Sequence, residues 1–307
     1  MVASIDRQAV IRRWGILPLL VVLVFWQWQA GTCTAHPHHE HTATQSLYYL
    51  VGVGPGDADL ITLRALRVIE RADVVFVSPG VKERFAEQLE GKKVVEGFWR
   101  LFPYYGRQRD EVPADEREAF DAISAKRNTF IKLVREATAE GKVVAVLDSG
   151  DPLIYGPWAW SLREFADLHP VVIPGVSCFN AANAALACPI QDGTETKSII
   201  LTADDWPGKK DTIDKLAKLN TTMVLFTMRA DFDTFIDKLL QSRPPETPVA
   251  IVEYAGFADR EAVIVGTLGT IRQKVSKEKL PFEYLIYVGD FLRLRAPAET
   301  DQLGNAR

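Results

Sequence analysis

The segment VAVLDSGDPLIYG, residues 144–156, joins a buried-strand pattern to a tight turn. Its first part, Val144 to Leu147, is an unbroken apolar run, which indicates a strand buried on both faces. The turn that follows contains an acid, a serine, glycines and a proline. Open parallel sheets bind ligands at the carboxyl ends of their strands. The segment therefore predicts either an ordinary α/β turn or a ligand-binding loop, and the local residues leave both open.

Strand patterns alternate with helix patterns from Leu47 onward, which is typical of an α/β fold with helices covering a parallel or mixed sheet. The first strand is predicted over 47–53, and the following helix has one apolar face. A second alternating block begins near SIILTA, residues 198–203. We expect two α/β domains, 47–168 and 169–292, followed by a polar tail over 293–307.

Composition narrows the possible partners. The chain has 307 residues, of which 47% are apolar, and a formal net charge of −4. No basic stripe is present, so we expect no nucleic-acid partner. The cysteines Cys33, Cys178 and Cys188 form no CxxC pair, which argues against a disulfide framework. A bridge between Cys178 and Cys188 is the alternative that the spacing leaves open.

The first 46 residues differ from those of a plain cytosolic enzyme. Arg7, Arg12 and Arg13 precede an apolar run, WGILPLLVVLVFWQW, that is as long as a signal-peptide core and short for a membrane span. We expect a signal peptide, cleaved near Ala35, or an N-terminal membrane anchor. Either one leaves the body of the protein outside the cytoplasm. If the leader is a mis-assigned start, the protein is cytoplasmic.

A histidine cluster, HPHHEH, follows the apolar run. Clustered imidazoles can bind a divalent metal such as nickel, copper, cobalt or zinc. The candidate ligands are His36, His38, His39 and His41. The alternative is a solvated linker between the leader and the first strand.

The loop after the first strand, GVGPGDADL, contains three glycines in an arrangement close to a dinucleotide fingerprint. That fingerprint needs a third glycine where this chain has Asp57, and Pro55 lacks the N–H that a pyrophosphate would use. A phosphate cradle is therefore disfavoured. Glycines still let the backbone approach a ligand closely. S-adenosylmethionine fits such a loop, because it has a sulfonium, an amino-acid tail and an adenosine but no phosphate.

Six motifs occur in a family-like order: GVGPGDADLITLRA, VLDSGDPLIYG, VVIPGVSCFNAANAALACPI, TMVLFTM, TPVAIVEYA with VGTL, and EYLIYVG. Together they resemble the tetrapyrrole methylases, the precorrin, cobalt-precorrin and uroporphyrin-III C-methyltransferase type of S-adenosylmethionine-dependent enzyme. The resemblance covers about residues 47–292. It implies two α/β domains with the cofactor cleft between them, a tetrapyrrole substrate and a homodimer.

The resemblance also assigns cofactor contacts by position. The residues it places at the cofactor are Pro55, Gly150, Asp151, Ile154, Ser177, Cys178, Met228, Ala255 and Tyr284. Asp151 could alternatively cap the helix that follows it. We also expect Asp57, Asp148 and Tyr155 to orient the substrate or move a proton as catalytic residues, with turn formation or packing as the alternative for each.

The segment FWRLFPYYGRQRDEV, residues 98–112, is rich in aromatic and cationic residues and is not a family signature. Aromatic rings can stack on a flat macrocycle, and guanidinium groups can pair with its carboxylates. The substrate-binding candidates are Trp99, Arg100, Tyr104 and Tyr105. The alternative is that these residues form the core and rim of an irregular loop.

The sequence leaves three functions open. The first is C-methylation of a precorrin, corrinoid or sirohaem-type tetrapyrrole. The second, favoured by the leader, is an exported non-catalytic protein that binds a metal or a tetrapyrrole on the same fold. The third is peptide N-methylation, because the helix KRNTFIKLVREA resembles that of related N-methyltransferases. There Arg127 is present, but Phe130 stands where those enzymes have a tyrosine.

Overall fold

The structure is a computed structural model that describes residues 46–193, 197–227, 232–275, 280–282 and 284–295. The predicted leader, the ligands His36, His38, His39 and His41, the candidate Met228 and most of the polar tail lie outside these residues. Within the described ranges, no helix combines the length and the apolar character needed to cross a bilayer. In the same ranges, no cluster of histidine, cysteine, aspartate and glutamate is arranged to hold a metal ion.

The first sheet is entirely parallel, with the strand order β3-β2-β4-β1-β5. Its strands are β1 (Tyr48–Gly52), β2 (Val74–Phe76), β3 (Lys93–Val95), β4 (Val144–Asp148) and β5 (Val171–Ile173). The apolar run of the segment 144–156 forms the central strand β4, and every residue of that strand is buried. The prediction of a strand covered on both faces is thus confirmed.

Helices cover both faces of this sheet. They are α1 (Leu63–Arg71), α2 (Pro79–Arg84), α3 (Arg117–Ala139) and α4 (Ser161–Glu164). α1 and α2 pack on the face that carries Val51, and α3 packs on the face that carries Leu50. Neighbouring residues of a strand point to opposite faces, so β1 contributes to both apolar layers. Short 3-10 turns in this half span Ala58–Leu60, Arg109–Glu111, Ala114–Glu116 and Ala166–Leu168.

The second sheet is mixed, with the order β6-β7-β10-β8-β9. Its strands are β6 (Ile199–Ala203), β7 (Thr222–Phe226), β8 (Pro248–Glu253), β9 (Ala262–Thr267) and β10 (Tyr284–Val288). Within the described residues of this second sheet, the pair β6 and β7 is parallel and the other three pairs are antiparallel. The helices of this half are α5 (Cys178–Leu186), α6 (Ile213–Ala217), α7 (Phe232–Leu240) and α8 (Ile271–Lys274), with a final 3-10 turn at Asp290–Leu294. α5 covers one face, and α6, α7 and α8 cover the other.

The first sheet extends beyond the boundary predicted at residue 168. β5 pairs with β1, Leu50 opposite Val172, so this strand belongs to the first sheet and not to the second block. The chain then enters the second half through α5, whose apolar side packs on the second sheet. A strand as short as VVI carries no signal of its pairing partner, because pairing is a long-range contact.

Three glycines let the carboxyl ends of β1, β4 and β5 meet. A Cβ on Gly52 would lie 2.7 Å from the carbonyl oxygen of Gly150, and a Cβ on Gly175 would lie 2.8 Å from the carbonyl carbon of Gly52. The nearest atom to that Gly175 Cβ would be the Gly150 carbonyl oxygen, well inside contact distance. All of these neighbours are backbone atoms, which cannot move aside as a flexible side chain can. The three strand ends therefore pack backbone to backbone.

We expect Gly175→Ala to lower the free energy of unfolding by about 1–3 kcal/mol, the usual cost of overpacking. The added methyl group would collide with the backbone of Gly150. Gly80→Ala is the matched control, because a Cβ on Gly80 meets nothing within 4 Å. Chemical denaturation of both variants tests this expectation. Equal stability of the two variants would contradict the close approach of the three loops.

Candidate active site

A cavity of about 320 Å³, here called the inner cavity, lies where the loops after β1 and β4 meet the loops of the second sheet. It is lined by these predicted cofactor residues: Pro55, Gly150, Asp151, Ile154, Ser177, Cys178, Ala255 and Tyr284. Asp148 and Tyr155, two predicted catalytic residues, line it as well. The structure thus brings together residues that are distant in the sequence and that come from both sheets.

The turn after β4 is held by its own side chain and by the first glycine loop. The Leu153 N–H donates to Oδ1 of Asp151 at 2.8 Å, which is an Asx turn. The Gly150 N–H donates to the carbonyl of Gly54 at 3.0 Å. The alternative that Asp151 caps a helix is wrong, because the next helix, α4, begins at Ser161. The turn of the segment 144–156 is a wall of the inner cavity, and ligand binding by this loop stays a prediction.

Ser177 and Cys178 stand at the start of α5. Oγ of Ser177 accepts from the N–H of Phe179 at 3.2 Å, and the Ser177 N–H donates to Oδ1 of Asn180 at 3.3 Å, forming a capping box. The cap directs the amino end of α5 toward the inner cavity. Cys178 and Cys188 are not joined by a disulfide in the part of the chain that the structure describes.

Tyr155 has a left-handed backbone, with φ of 59°, and its ring centroid lies 4.7 Å from that of Phe226. Such a conformation costs a non-glycine residue about 1–3 kcal/mol and clusters at functional sites. Burial, with a smaller contribution from the charge of Asp211, raises the pKa of Tyr155 above its usual value of 10.0. At neutral pH the hydroxyl therefore keeps its proton and can donate a hydrogen bond, but it does not serve as a base.

Asp57 links the two halves of the site. Its carboxylate accepts from the N–H of Ala258 at 2.9 Å, and its own N–H donates to the carbonyl of Gly256 at 2.8 Å. Gly56 packs directly on Gly256, where a Cβ would collide with the Gly256 backbone. Ala258 belongs to the loop between β8 and β9, so these contacts fasten the first glycine loop to the second sheet. These contacts support the alternative, which is a turn or packing role for Asp57. A catalytic role for Asp57 stays a prediction.

A second cavity of about 860 Å³, here called the outer cavity, adjoins the inner one. The two share these lining residues: Trp99, Asp148, Ser149, Phe257, Arg260 and Phe282. Asp148 is only 3% exposed, so it is buried at the junction. Trp99, at 40% exposure, presents its indole to both cavities. The predicted substrate residue Trp99 and the predicted catalytic residue Asp148 therefore lie where two ligands could meet.

Two further residues at this junction, both arginines, lie outside the motifs and candidate sites of the sequence. The guanidinium of Arg84, at the end of α2, donates to the carbonyl of Gly56 and lies 3.5 Å from both the Gly54 carbonyl and Oγ of Ser149. Burial lowers the pKa of Arg84 below its usual value. Arg260, in the loop after β8, lines both cavities. Nothing in the local sequence around Arg84 indicates a site, because only the tertiary structure brings α2 beneath the glycine loop.

The aromatic segment 98–112 divides between two environments. The hydroxyl of Tyr104 donates to Glu116 at 2.9 Å, and that of Tyr105 donates to Glu164 at 3.1 Å. Both tyrosines lie within the described ranges and line neither the inner nor the outer cavity, and substrate binding by them stays a prediction. Arg100 lines a shallow groove beside α3. The loop folds back over α3 and α4, and only Trp99 of the four candidates reaches the two cavities.

The peptide N-methylation alternative depended on Arg127. Its guanidinium donates to the carbonyls of Leu101 at 2.7 Å and Pro103 at 2.9 Å, and the residue is only 7% exposed. Phe130 is fully buried in the apolar layer under α3. Arg127 therefore supports the loop of residues 98–112, and neither residue, each within the described ranges, lines the cavities.

We expect Asp57→Ala to lower the free energy of unfolding by about 1–2 kcal/mol, because the Ala258 N–H loses a charged acceptor. Asp57→Asn keeps an acceptor oxygen and should recover most of that loss. Asp59→Ala removes an exposed carboxylate of the same loop and serves as the control. Urea denaturation measures all three. If Asp57→Asn were as destabilised as Asp57→Ala, the contact with Ala258 would not be the cause.

Comparisons with known proteins agree with this geometry. The family model of the tetrapyrrole (corrin/porphyrin) methylases matches residues 48–272. The cobalt-precorrin-4 C(11)-methyltransferase of Methanocaldococcus jannaschii is 30% identical over 249 residues, which are 79% of this chain and 87% of that protein. The uroporphyrinogen-III C-methyltransferase of the same organism is 30% identical over 251 residues, 80% of this chain and 96% of that protein.

Solved structures show the same fold. A cobalt precorrin-4 methyltransferase superposes with a TM-score of 0.63 at 23% identity, covering 80% of this chain and 95% of that one. The uroporphyrin-III C-methyltransferase of Thermus thermophilus, complexed with S-adenosylhomocysteine, superposes with a TM-score of 0.56 at 24% identity. This match covers 80% of this chain and 99% of that one. The match of the family model over most of the chain, together with these relatives, shows that this protein belongs to the tetrapyrrole methylase family.

Proposed function

We propose that this protein is an S-adenosylmethionine-dependent C-methyltransferase whose acceptor is a precorrin, corrinoid or sirohaem-type tetrapyrrole. One observation carries the proposal. The positions that the family resemblance assigns to the cofactor, apart from Met228, which lies outside the described residues, meet around the inner cavity, and that cavity adjoins a larger one through a shared wall. A reaction between two ligands needs such an arrangement, because the reacting atoms must be held in contact.

The inner cavity suits the cofactor chemically. Its volume of about 320 Å³ falls in the usual range of small-molecule sites. Ile154, Phe226, Val252 and Leu285 supply apolar surface for an adenosine, and Asp151 supplies a carboxylate for a cationic group. The carbonyls of Gly54 and Gly56 accept from Arg84, so the polar groups of this loop that face Arg84 are acceptors and not the N–H donors of a phosphate cradle. When bound, S-adenosylmethionine supplies an electrophilic methyl group.

The residues at the shared wall would position the acceptor. The ring of Trp99 offers a flat apolar surface for a macrocycle, and the buried carboxylate of Asp148 can orient a pyrrole N–H. An acceptor carbon of a tetrapyrrole is already nucleophilic, so little proton abstraction is required before it attacks. Tyr155, which keeps its proton, is suited to orientation by hydrogen bonding. Positioning then accounts for much of the rate.

Isothermal titration with S-adenosylhomocysteine tests the cofactor site. We expect micromolar binding by the folded chain. Asp151→Asn keeps the oxygen that accepts from Leu153 and removes only the charge, so its affinity should fall by about tenfold, the size expected for one charge-assisted contact. Asp151→Ala also loses the Asx turn and should bind more weakly still.

Asp115→Asn is the matched control, since Asp115 is exposed and lies in a different loop. Its affinity should equal that of the unaltered chain. Wild-type affinity of Asp151→Ala would remove Asp151 from the site. If a folded sample of the unaltered chain does not bind the ligand at all, the exported, non-catalytic tetrapyrrole or metal carrier becomes the better explanation.

The N-terminal segment carries a separate proposal. We propose that residues 1–46 export or anchor the protein and that His36, His38, His39 and His41 bind a divalent metal outside the cytoplasm. The support is the order of arginines, apolar run and histidines in the sequence. A reporter enzyme fused after Gln45 should be active outside the cytoplasm, and activity confined to the cytoplasm would contradict export. Homodimerisation, implied by the family resemblance, also stays a prediction.

A further inference from the structure

Arg260 lies in the loop between β8 and β9, the same loop whose Ala258 N–H donates to Asp57. The guanidinium carbon of Arg260 lies 4.0 Å from the ring centroid of Phe257 and 5.2 Å from that of Tyr254. Stacking of this kind holds the plane of the guanidinium and leaves its N–H edge available to a ligand.

The charges around Arg260 favour an anion beside it. Within the described residues, its ion pair is with the exposed Asp259, at an N–O distance of 3.9 Å that is too long for a hydrogen bond. Arg84 lines the same cavity, and the two positive charges oppose each other, since Arg260 contributes to the lowered pKa of Arg84. A bound carboxylate between or beside them would relieve that repulsion.

Four carboxylates also line the outer cavity, and their positions limit their effect. They are Asp57, Glu83, Asp148 and Asp259. Glu83 and Asp259 are exposed to water, which screens their charge. The carboxylate of Asp57 accepts from the Ala258 N–H, and Asp148 lies at the junction with the inner cavity. The two cations that line the outer cavity are Arg84, which has Asp57 nearby, and Arg260, whose side chain is half-exposed.

The other residues that line the outer cavity indicate which kind of ligand would fit it. Phe98, Trp99, Trp158, Phe257 and Phe282 place aromatic surface around the outer cavity. A ligand that matches this lining has a flat, apolar body and a carboxylate at its edge. The tetrapyrroles of the proposed function have this form, because their carboxylate side chains project from the rim of the ring.

We propose that Arg260 is a specificity-determining residue, which binds a side-chain carboxylate of the acceptor and thereby sets which edge of the ring faces the inner cavity. The inference rests on the proposed function and adds a residue to it. The guanidinium fork can bind a carboxylate through two parallel hydrogen bonds, and a lysine at this position could not. Arg84 is a positioning residue beside it, since its own N–H groups hold the glycine loop.

The test compares two ligands on the full chain. Uroporphyrin III, whose rim side chains all end in carboxylates, is titrated by absorption in the presence of saturating S-adenosylhomocysteine. We expect Arg260→Gln to weaken porphyrin binding by about tenfold to a hundredfold, as for loss of a charge-assisted pair. The porphyrin affinity of Arg260→Lys should lie between those of the unaltered chain and Arg260→Gln. Arg64→Gln, on the exposed side of α1, removes one positive charge elsewhere and should bind as the unaltered chain does.

Two further measurements separate the explanations. The methyl ester of the same porphyrin should bind equally to the unaltered chain and to Arg260→Gln, because it has no carboxylate to lose. The affinity for S-adenosylhomocysteine should be unchanged in Arg260→Gln. A parallel loss of that affinity would mean that Arg260 binds the carboxylate of the cofactor, and the inference would be overturned.

The inference and the proposed function can fail separately. If the unaltered chain binds the porphyrin and Arg260→Gln binds it equally well, the inference alone is wrong. If the unaltered chain binds S-adenosylhomocysteine but not the porphyrin, the carboxylate role of Arg260 is overturned while the cofactor site stands. If it binds neither ligand in the folded state, both proposals fail.

Discussion

The site depends on the backbone contact between Gly56 and Gly256. Both positions favour glycine, because a Cβ on Gly56 would collide with the backbone of Gly256, and Gly256 has a φ of 87°, which side chains rarely adopt. The two hydrogen bonds of Asp57 reinforce this contact across the halves of the molecule. Each cavity has one wall from the loops of the first sheet and another from the loops of the second. The contact between Gly56 and Gly256 holds these two walls together.

The first glycine loop is used differently from a phosphate cradle. In a cradle, backbone N–H groups face the ligand; here the carbonyls of Gly54 and Gly56 face the guanidinium of Arg84. A half-buried cation, Arg84, donates to these carbonyls and so orients the loop without any anion. The glycines then serve close packing against Gly150, Gly175 and Gly256, and the loop becomes a wall for an uncharged or cationic part of a ligand.

The aromatic segment of residues 98–112, which follows β3, has residues in two different environments. Tyr104 and Tyr105 bond to carboxylates near α3 and α4, and Arg127 holds the carbonyls of the same loop from below. Those contacts support the chain on either side of Trp99, which is thus placed at the junction of the cavities. The stacking partners of Arg260, by contrast, come from its own loop, which the second sheet presents from the other side.

Local pattern was sufficient for the alternating architecture and for the buried strand of residues 144–147, since burial periodicity is a property of neighbouring residues. The positions that line the inner cavity followed from the resemblance to the family, which six motifs in order carry. Tertiary structure alone assigned β5 to the first sheet, brought Arg84 and Arg260 to one cavity, tied Asp57 to Ala258 and turned Tyr104 and Tyr105 away. These outcomes rest on contacts between residues far apart in the chain, whose geometry no local pattern encodes.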